Sequence, residues 1–351
     1  MLKLRRGVVS SIEPLRVRVD GEERAAWADA RLVGEVREGD DVVVNVEAQD
    51  LGLGSGGFDI VHVNLTRGLD NGGADEEHVM KLNYTSLQHP VAPIERDGGE
   101  RRLVAVLVIP LHGHLAPAAW AAAQARPGIR VGFLQGAGGA LAGSLLRDVV
   151  ELRSRDLLCG HVTAGAAFGG EGEAISLLGA LDAVGAMGWD AVVVGPGPGI
   201  LGSETKLGHG GMAALDAAHA ALALGMPTLV SPRLSSSDPR PRHRGLSHHT
   251  ASVLELVLGT VRVPVPEAEV QGWPLLDAGA PEGGSPQAAL DSLIELCGGR
   301  HDIAVQRIDL DGYAASGLPS TTMGRTIAQD PLFFAAALAA GRALAEAAES
   351  I

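Results

Sequence analysis

From Arg101 onward, short apolar runs of β type alternate with alanine- and leucine-rich stretches of helical length. The runs predict strands over 103–109, 129–134, 157–163, 190–195, 227–231 and 303–308. Between them the pattern predicts helices near 116–126, 140–152, 172–187, 210–225, 248–258 and 285–297, with a last helix over 331–348. A run such as Ala191-Val192-Val193-Val194 has no polar side, so both faces of that strand are buried. The expected architecture is a three-layer α/β domain over 101–351, built on one mostly parallel sheet. The first 66 residues differ, with alternating Leu15–Val19, an Asp20-Gly21 turn, and strands around Val8-Val9, Val42–Val46 and Phe58–Leu65. They predict a small antiparallel β-barrel domain over 1–66, which offers no titratable cluster of its own. Residues 67–100 read as a polar connecting segment, interrupted by the island His78–Thr85 that is expected to pack onto the second domain.

Composition narrows the picture. A net charge of −14 over 351 residues repels polyanions, so neither nucleic acid nor an anionic membrane is an expected partner. Cys159 and Cys297 have no spacing for zinc or a redox pair, which suits a reducing compartment. The charged start Met1–Gly7 leads into alternating residues instead of an apolar signal core, and the apolar run Leu103–Leu111 is too short to cross a bilayer. A soluble cytoplasmic protein is the expectation, and self-association as a homo-oligomer stays open.

Ligands in open α/β sheets sit at the carboxyl ends of strands, and two chemically loaded loops fall there. The first, Gly195–Lys206, carries Gly197, Gly199 and Gly202 and ends on Lys206. The second runs from Arg233 to Thr250 and holds Asp238, Arg240, Arg242, His243, Arg244, His248 and His249. Guanidinium groups at Arg240, Arg242 and Arg244 can fork a phosphate or carboxylate, joined by Lys206 and the amides of a helix starting near His248. Salt bridging to the chain's surplus acids is the bland alternative for those arginines. Ser247 reads as the N-cap of that helix.

Six histidines collect at the same edge: His112, His114, His209, His243, His248 and His249. Such a group can hold zinc or manganese with Asp238, or supply a general base, although its spacing matches no named metal motif. Glu171 and Glu173 suit a helix start, and a Glu171 loop facing the arginines would place a carboxylate base beside an anion. Lys81 stands out because lysine occurs only at 3, 81 and 206. Thr321–Arg325 offers further hydroxyl and guanidinium contacts through Arg325, or is a plain connection. The Gly136–Gly143 run has Leu141 where a dinucleotide fingerprint needs its third glycine, so tight packing is the better reading and no cofactor is named. Neither a P-loop nor a Gly-x-Ser-x-Gly elbow is present.

These pieces resemble a known family. They are Met80-Lys81-Leu82-Asn83-Tyr84-Thr85 with Leu87-Gln88, Ala167-Phe168-Gly169-Gly170, the Gly195–Gly202 loop, Asp238–Thr250, Thr322–Arg325 and Asp330–Phe334. The set is similar to the bacterial family catalogued as domain of unknown function 3866, a resemblance that brings no activity with it. The residues alone favour an enzyme acting on a small anionic or phosphorylated metabolite between loops 195–206 and 238–249, with His243, His248 or His249 moving protons beside Asp238. A non-catalytic ligand sensor or scaffold using the same pocket is the alternative. The four cations Lys206, Arg240, Arg242 and Arg244 are expected to converge, at least two of them on one cavity beside Gly195–Gly202.

Overall fold

The computed structural model describes residues 2–53, 56–70, 78–95, 102–267 and 285–351, in two compact units, Met1–Ala92 and Pro93–Ile351. Of the connecting segment expected over 67–100, residues 71–77 and 96–100 lie outside the described ones. The island within it forms a hairpin that groups with the first unit.

In the first unit, β1 (Leu4–Ile12), β2 (Leu15–Val19), β3 (Glu22–Trp27), β4 (Asp41–Asn45) and β5 (Asp59–Asn64) close into a barrel in the order β1-β2-β3-β5-β4. Closure removes the edge strands that would otherwise invite pairing with another chain. One pairing, β3 with β5, is parallel, and the other four are antiparallel. Inward-facing Val9, Val17, Val19, Val42, Val44 and Val61 fill the interior, the period-two pattern of a half-buried strand. Strand β3 escapes a sequence reading because Glu-Glu-Arg-Ala-Ala-Trp shows no such alternation. Short helices α1 (Ala30–Val33) and α2 (Glu47–Asp50) follow β3 and β4, and the hairpin of β6 (Val79–Lys81) and β7 (His89–Val91) ends the unit.

The second unit alternates β8 (Ala105–Val108), α3 (Leu115–Ala125), β9 (Val131–Gly136), α4 (Arg147–Ser154), β10 (Gly160–Ala164), β11 (Gly172–Ala174) and α5 (Leu177–Val184). It continues through β12 (Ala191–Pro196), α6 (Ala213–Ala223), β13 (Thr228–Val230), the two-residue strands β14 (Leu234–Ser235) and β15 (Gly245–Leu246), and α7 (His248–Leu256). Then come β16 (Arg262–Pro266), α8 (Pro286–Cys297), β17 (Asp302–Gln306), α9 (Leu310–Ala315), β18 (Thr321–Thr322), β19 (Arg325–Thr326) and α10 (Pro331–Glu349). Eight strands form one parallel sheet in the order β11-β10-β9-β12-β8-β13-β16-β17. Every strand predicted from the apolar runs lies in it, and β12 and β13 both pair with β8.

Alternate residues of each strand feed opposite layers. Val106, Val108, Val192 and Val194 pack with residues of α5, α6, α7 and α8, while Leu107, Ile109, Phe133 and Val193 pack with those of α3, α4 and α10. Helix α10 alone among the described helices is long and apolar enough to cross a membrane, yet 83% of that stretch is buried inside the protein. Its all-round apolarity serves the core. Gly341 of α10 lies so close to α3 that a Cβ there would stand 2.0 Å from Ala118 O.

Two expectations are corrected by β11 and β16. The helix expected over 172–187 starts only at Leu177, where Ser176 caps it by accepting from Gly179 N, because Gly172–Ala174 pairs with β10. Strand β16 was hidden by Pro264 and Pro266, residues that lack a donor. Glu267 N–H donates to Gln306 O, so odd-numbered positions face β17 and both prolines face the other side, where β13 pairs only at Arg262. The helix expected over 140–152 likewise begins at Arg147, after a loop held by backbone contacts of its glycines.

Candidate functional site

After β9 the chain passes through α4 to β10 and after β12 through α6 to β13, and α4 and α6 lie on opposite faces of the sheet. Loops after neighbouring strands therefore diverge between β9 and β12, the kind of switch point at which such sheets open a crevice. A cleft of about 160 Å³ lies there, lined by Gly136 and Ala137 of β9 and its loop, Ala164 and Gly165, Gly195 and Pro196, and the start of α6. Apart from Asp216 its lining residues are apolar or backbone.

The glycine loops of this edge touch backbone to backbone. A Cβ on Gly197 would stand 2.3 Å from Ala140 O, one on Gly139 2.2 Å from Gly197 O, and one on Gly210 1.9 Å from Gly138 O. Ala140 N donates to Pro198 O at 2.7 Å, fastening the loops after β9 and β12. Gly197 is therefore a packing residue, Gly199 takes a left-handed turn at φ +72°, and Gly202 bridges to His209. In place of the anion cradle expected of Gly197, Gly199 and Gly202, the three serve the path of the chain: a close approach at Gly197, a left-handed turn at Gly199 and a bridge at Gly202.

The expected convergence of the four cations is also corrected. Lys206 pairs with Glu255, and Arg242 lies 3.6 Å from Glu204. Arg240 grips Asp238 with Nε and Nη2, both at 2.9 Å, while Arg244 Nε donates to the Asp238 carbonyl. None of the four lines the switch-point cleft. Asp238 is fully buried and also meets Arg233 Nη2 at 3.3 Å and Arg325 Nη2 at 3.4 Å. Burial alone would raise its pKa, but the hydrogen bonds from Arg240 and the surrounding guanidinium charge hold the carboxyl well below the usual range. It is the electrostatic centre of the loop and not a free catalytic acid. Arg325, on the β18–β19 hairpin, spans Asp238 and Asp330, and Asp330 in turn accepts from Ser235 Oγ and Ser236 N.

The histidines divide. His112 bonds Asp148 through Nε2, and fully buried His114 meets Ser231 Oγ through Nδ1 at 2.8 Å. His209, His243, His248 and His249 form one cluster. His209 and His249 stack with centroids 3.7 Å apart at 10°, His248 lies 4.4 Å from His249, and His243 lies 4.7 Å from His249 and 4.9 Å from His248. The chain brings them together through the turn Gly210–Met212 before α6 and the first turn of α7. Ser247 caps α7 as expected, accepting from His249 N, and its hydroxyl meets His243 Nδ1 at 2.8 Å.

Burial, with the nearby Arg233 charge, pushes His243 and His114 down to about 3; burial and the adjoining His209 take His249 to about 2. His209 and His248 are lowered by burial as well. All are neutral near pH 7. Their ring nitrogens are unequal. A carbonyl can only accept, so His209 Nε2 donates to Lys206 O at 3.0 Å and His248 Nδ1 to Arg242 O at 3.2 Å. The opposite atoms, His209 Nδ1 and His248 Nε2, are then buried lone pairs without a partner, and His249 Nδ1 is a third buried ring nitrogen without one.

Sequence reasoning counted Arg233 in its loop without giving it a role, and passed over Ser231 and Gly211 as site residues. Arg233 follows β13 directly, is 4% exposed, and leaves its Nε unpartnered; burial, then Arg240, lowers its pKa to about 10. Its position right after a strand was the available signal. Glu171 binds Arg153 at 2.7 Å, so the carboxylate base it could have supplied by facing the arginines is engaged elsewhere. Glu173 lies in β11 and accepts from Thr163 Oγ1 and Gly169 N. Lys81 is buried in the first unit.

The fold and this edge define a two-unit protein, a closed five-stranded barrel and a doubly wound α/β unit with a histidine cluster at its strand ends. Residues 25–341 match the family described as protein of unknown function (DUF3866), and the chain belongs to that family. No curated protein and no solved structure matches it.

Proposed function

We propose that the protein is an enzyme acting on a small anionic metabolite, phosphorylated or carboxylated, at the histidine cluster beside the switch-point cleft. One observation carries this reading: four neutral imidazoles, three buried and His248 half-buried, converge at the strand ends, and His209, His248 and His249 each keep a buried ring nitrogen unpartnered. Buried polar atoms in folded proteins are nearly always satisfied, and exceptions concentrate where a ligand or reaction partner enters. Anion preference follows from local charge. Arg233, Arg240, Arg242, Arg244, Arg325 and Lys206 outnumber their carboxylate partners Asp238, Asp330, Glu204 and Glu255, in a chain whose net charge is −14. His243, unpaired with any carboxylate and held by Ser247, is the residue assigned to proton transfer. The overall negative charge argues against nucleic acid and membrane partners, and the unpaired Cys159 and Cys297 favour a cytoplasmic location.

Inorganic phosphate should raise the melting temperature, by up to about 2.7 kcal/mol of stabilisation at a hundred times its dissociation constant, and added sodium chloride should erode the gain. No shift with phosphate, sulfate or a dicarboxylate would remove the anion preference. A screen of phosphorylated and carboxylated metabolites should find turnover, and His243→Gln should lower kcat/KM roughly 10²- to 10⁴-fold while the melting temperature changes little. Binding without turnover across the screen would instead identify a ligand sensor.

A further inference from the structure

The geometry points to a transition-metal site of zinc type, formed by His209 Nδ1, His248 Nε2 and His249 Nδ1. The inference concerns the cluster already assigned to chemistry and rests on that reading of it. Ligand atoms of these three histidines lie within 4.8 Å of one another. Each supplies a buried ring nitrogen with no hydrogen-bond partner. Two of the rings are fixed from behind by backbone carbonyls, Lys206 O on His209 Nε2 and Arg242 O on His248 Nδ1. That is the outer-shell arrangement by which metal-binding histidines are oriented and their tautomer set, leaving the lone pair toward the ion. Bare lone pairs packed side by side repel, and a shared cation turns that repulsion into binding.

Gly211 adds an independent observation. A Cβ at this position would stand 2.9 Å from His249 Nδ1 and 3.0 Å from His209 Nδ1, so the missing side chain keeps open the space that both nitrogens border. Ligation needs the stacked His209 and His249 rings to tilt toward a common point, because parallel rings send their lone pairs side by side.

The donor set selects the ion. Three imidazoles without a carboxylate suit zinc and its neighbours and not magnesium, calcium or manganese. Asp238, the carboxylate that a mixed site would need, is occupied by Arg233, Arg240 and Arg325. Three protein ligands leave a fourth position for water or substrate, the pattern of catalytic zinc and not of closed structural sites. Arg233 nearby opposes a bare cation, and the same positive field favours an anionic group in that fourth position.

The test uses the full chain stripped with a chelator and titrated with Zn²⁺ alone and Co²⁺ alone. One ion per chain should bind, with the visible absorption of low-coordinate Co²⁺. His209→Ala, His248→Ala and His249→Ala should each weaken Zn²⁺ binding by at least the roughly 10- to 100-fold that loss of an outer-shell partner costs, while His112→Asn keeps it. Gly211→Ala, which removes no ligand atom, should weaken it as well and guards against histidine variants that fail to fold. Absence of stoichiometric Zn²⁺, or binding that persists unchanged in the three histidine variants and in Gly211→Ala, overturns the site. The two readings fail separately. Zinc lost in these variants from a protein that turns over nothing leaves the metal site and removes the enzyme, whereas turnover by a protein that binds no zinc does the reverse.

Discussion

Asp238→Asn should destabilise the second unit by about 3–5 kcal/mol, lowering the melting temperature by roughly 10 °C. The carboxylate is fully buried among Arg233, Arg240 and Arg325, two of which are themselves largely buried. Neutralising it leaves three guanidinium groups facing each other without a counter-charge, and Arg233 has no route to water. The amide keeps the volume, so the loss is electrostatic. pH supplies a second check. The folded-state pKa of Asp238 lies below its unfolded value, so its contribution is fully present above the ordinary carboxylate pKa of about 4 and is lost as pH falls through the folded pKa. The gap in melting temperature between wild type and variant should therefore be constant from pH 7 to about 5 and narrow below about 4. Equal melting temperatures at pH 7 would show that Asp238 does not hold the loop.

That network explains where the sequence misleads. An Arg-rich loop at a strand end looks like an anion cradle because guanidinium groups fork phosphates as well as carboxylates. What decides between them is whether a carboxylate is buried within reach, and burial of Asp238 depends on strands β14, β15, β18 and β19, each two residues long and without a pattern of its own. Arg325, nearly ninety residues downstream, is drawn onto the same carboxylate by the turn at Met323.

The sheet was far more legible. Strands buried on both faces write themselves as continuous apolar runs, as β8, β9, β12 and β13 do; β10 is buried throughout but interrupted by His161 and Thr163, and the edge strand β17 is partly exposed. β11 is three residues held by its neighbour β10, and the proline-bearing β16 relies on an unpaired side that only the assembled sheet reveals. The histidines fall between these cases. Their placement at one edge follows from strand-end loops, but which of them converge depends on the fold: Asp148 takes His112 and Ser231 takes His114, while the other four, three of them held by their own loops through Lys206 O, Ser247 Oγ and Arg242 O, pack on one another.

Gly210→Ala should separate His209 from that cluster. The new methyl would stand 1.9 Å from Gly138 O, a backbone atom in a loop already fastened to Gly197 and Pro198. Nothing there can rotate aside, as a side-chain tip could, so one of the two loops must move by more than an ångström to restore ordinary contact. Overpacking of this kind costs about 1–3 kcal/mol, and the backbone contact places this case near the upper end. His209 is the preceding residue, and its ring meets His249 at a stacking distance of 3.7 Å, so the displacement falls directly on the cluster. Gly136→Ala is the matched control: its nearest neighbour would be Leu177 Cδ1 at 3.8 Å, an ordinary contact, and the melting temperature should hardly change. Turnover and Zn²⁺ binding should both fall in Gly210→Ala. A variant that melts with wild type and keeps the His209–His249 stack in a crystal structure would show that the loops after β9 and before α6 are not pressed together, and that another constraint seats His209.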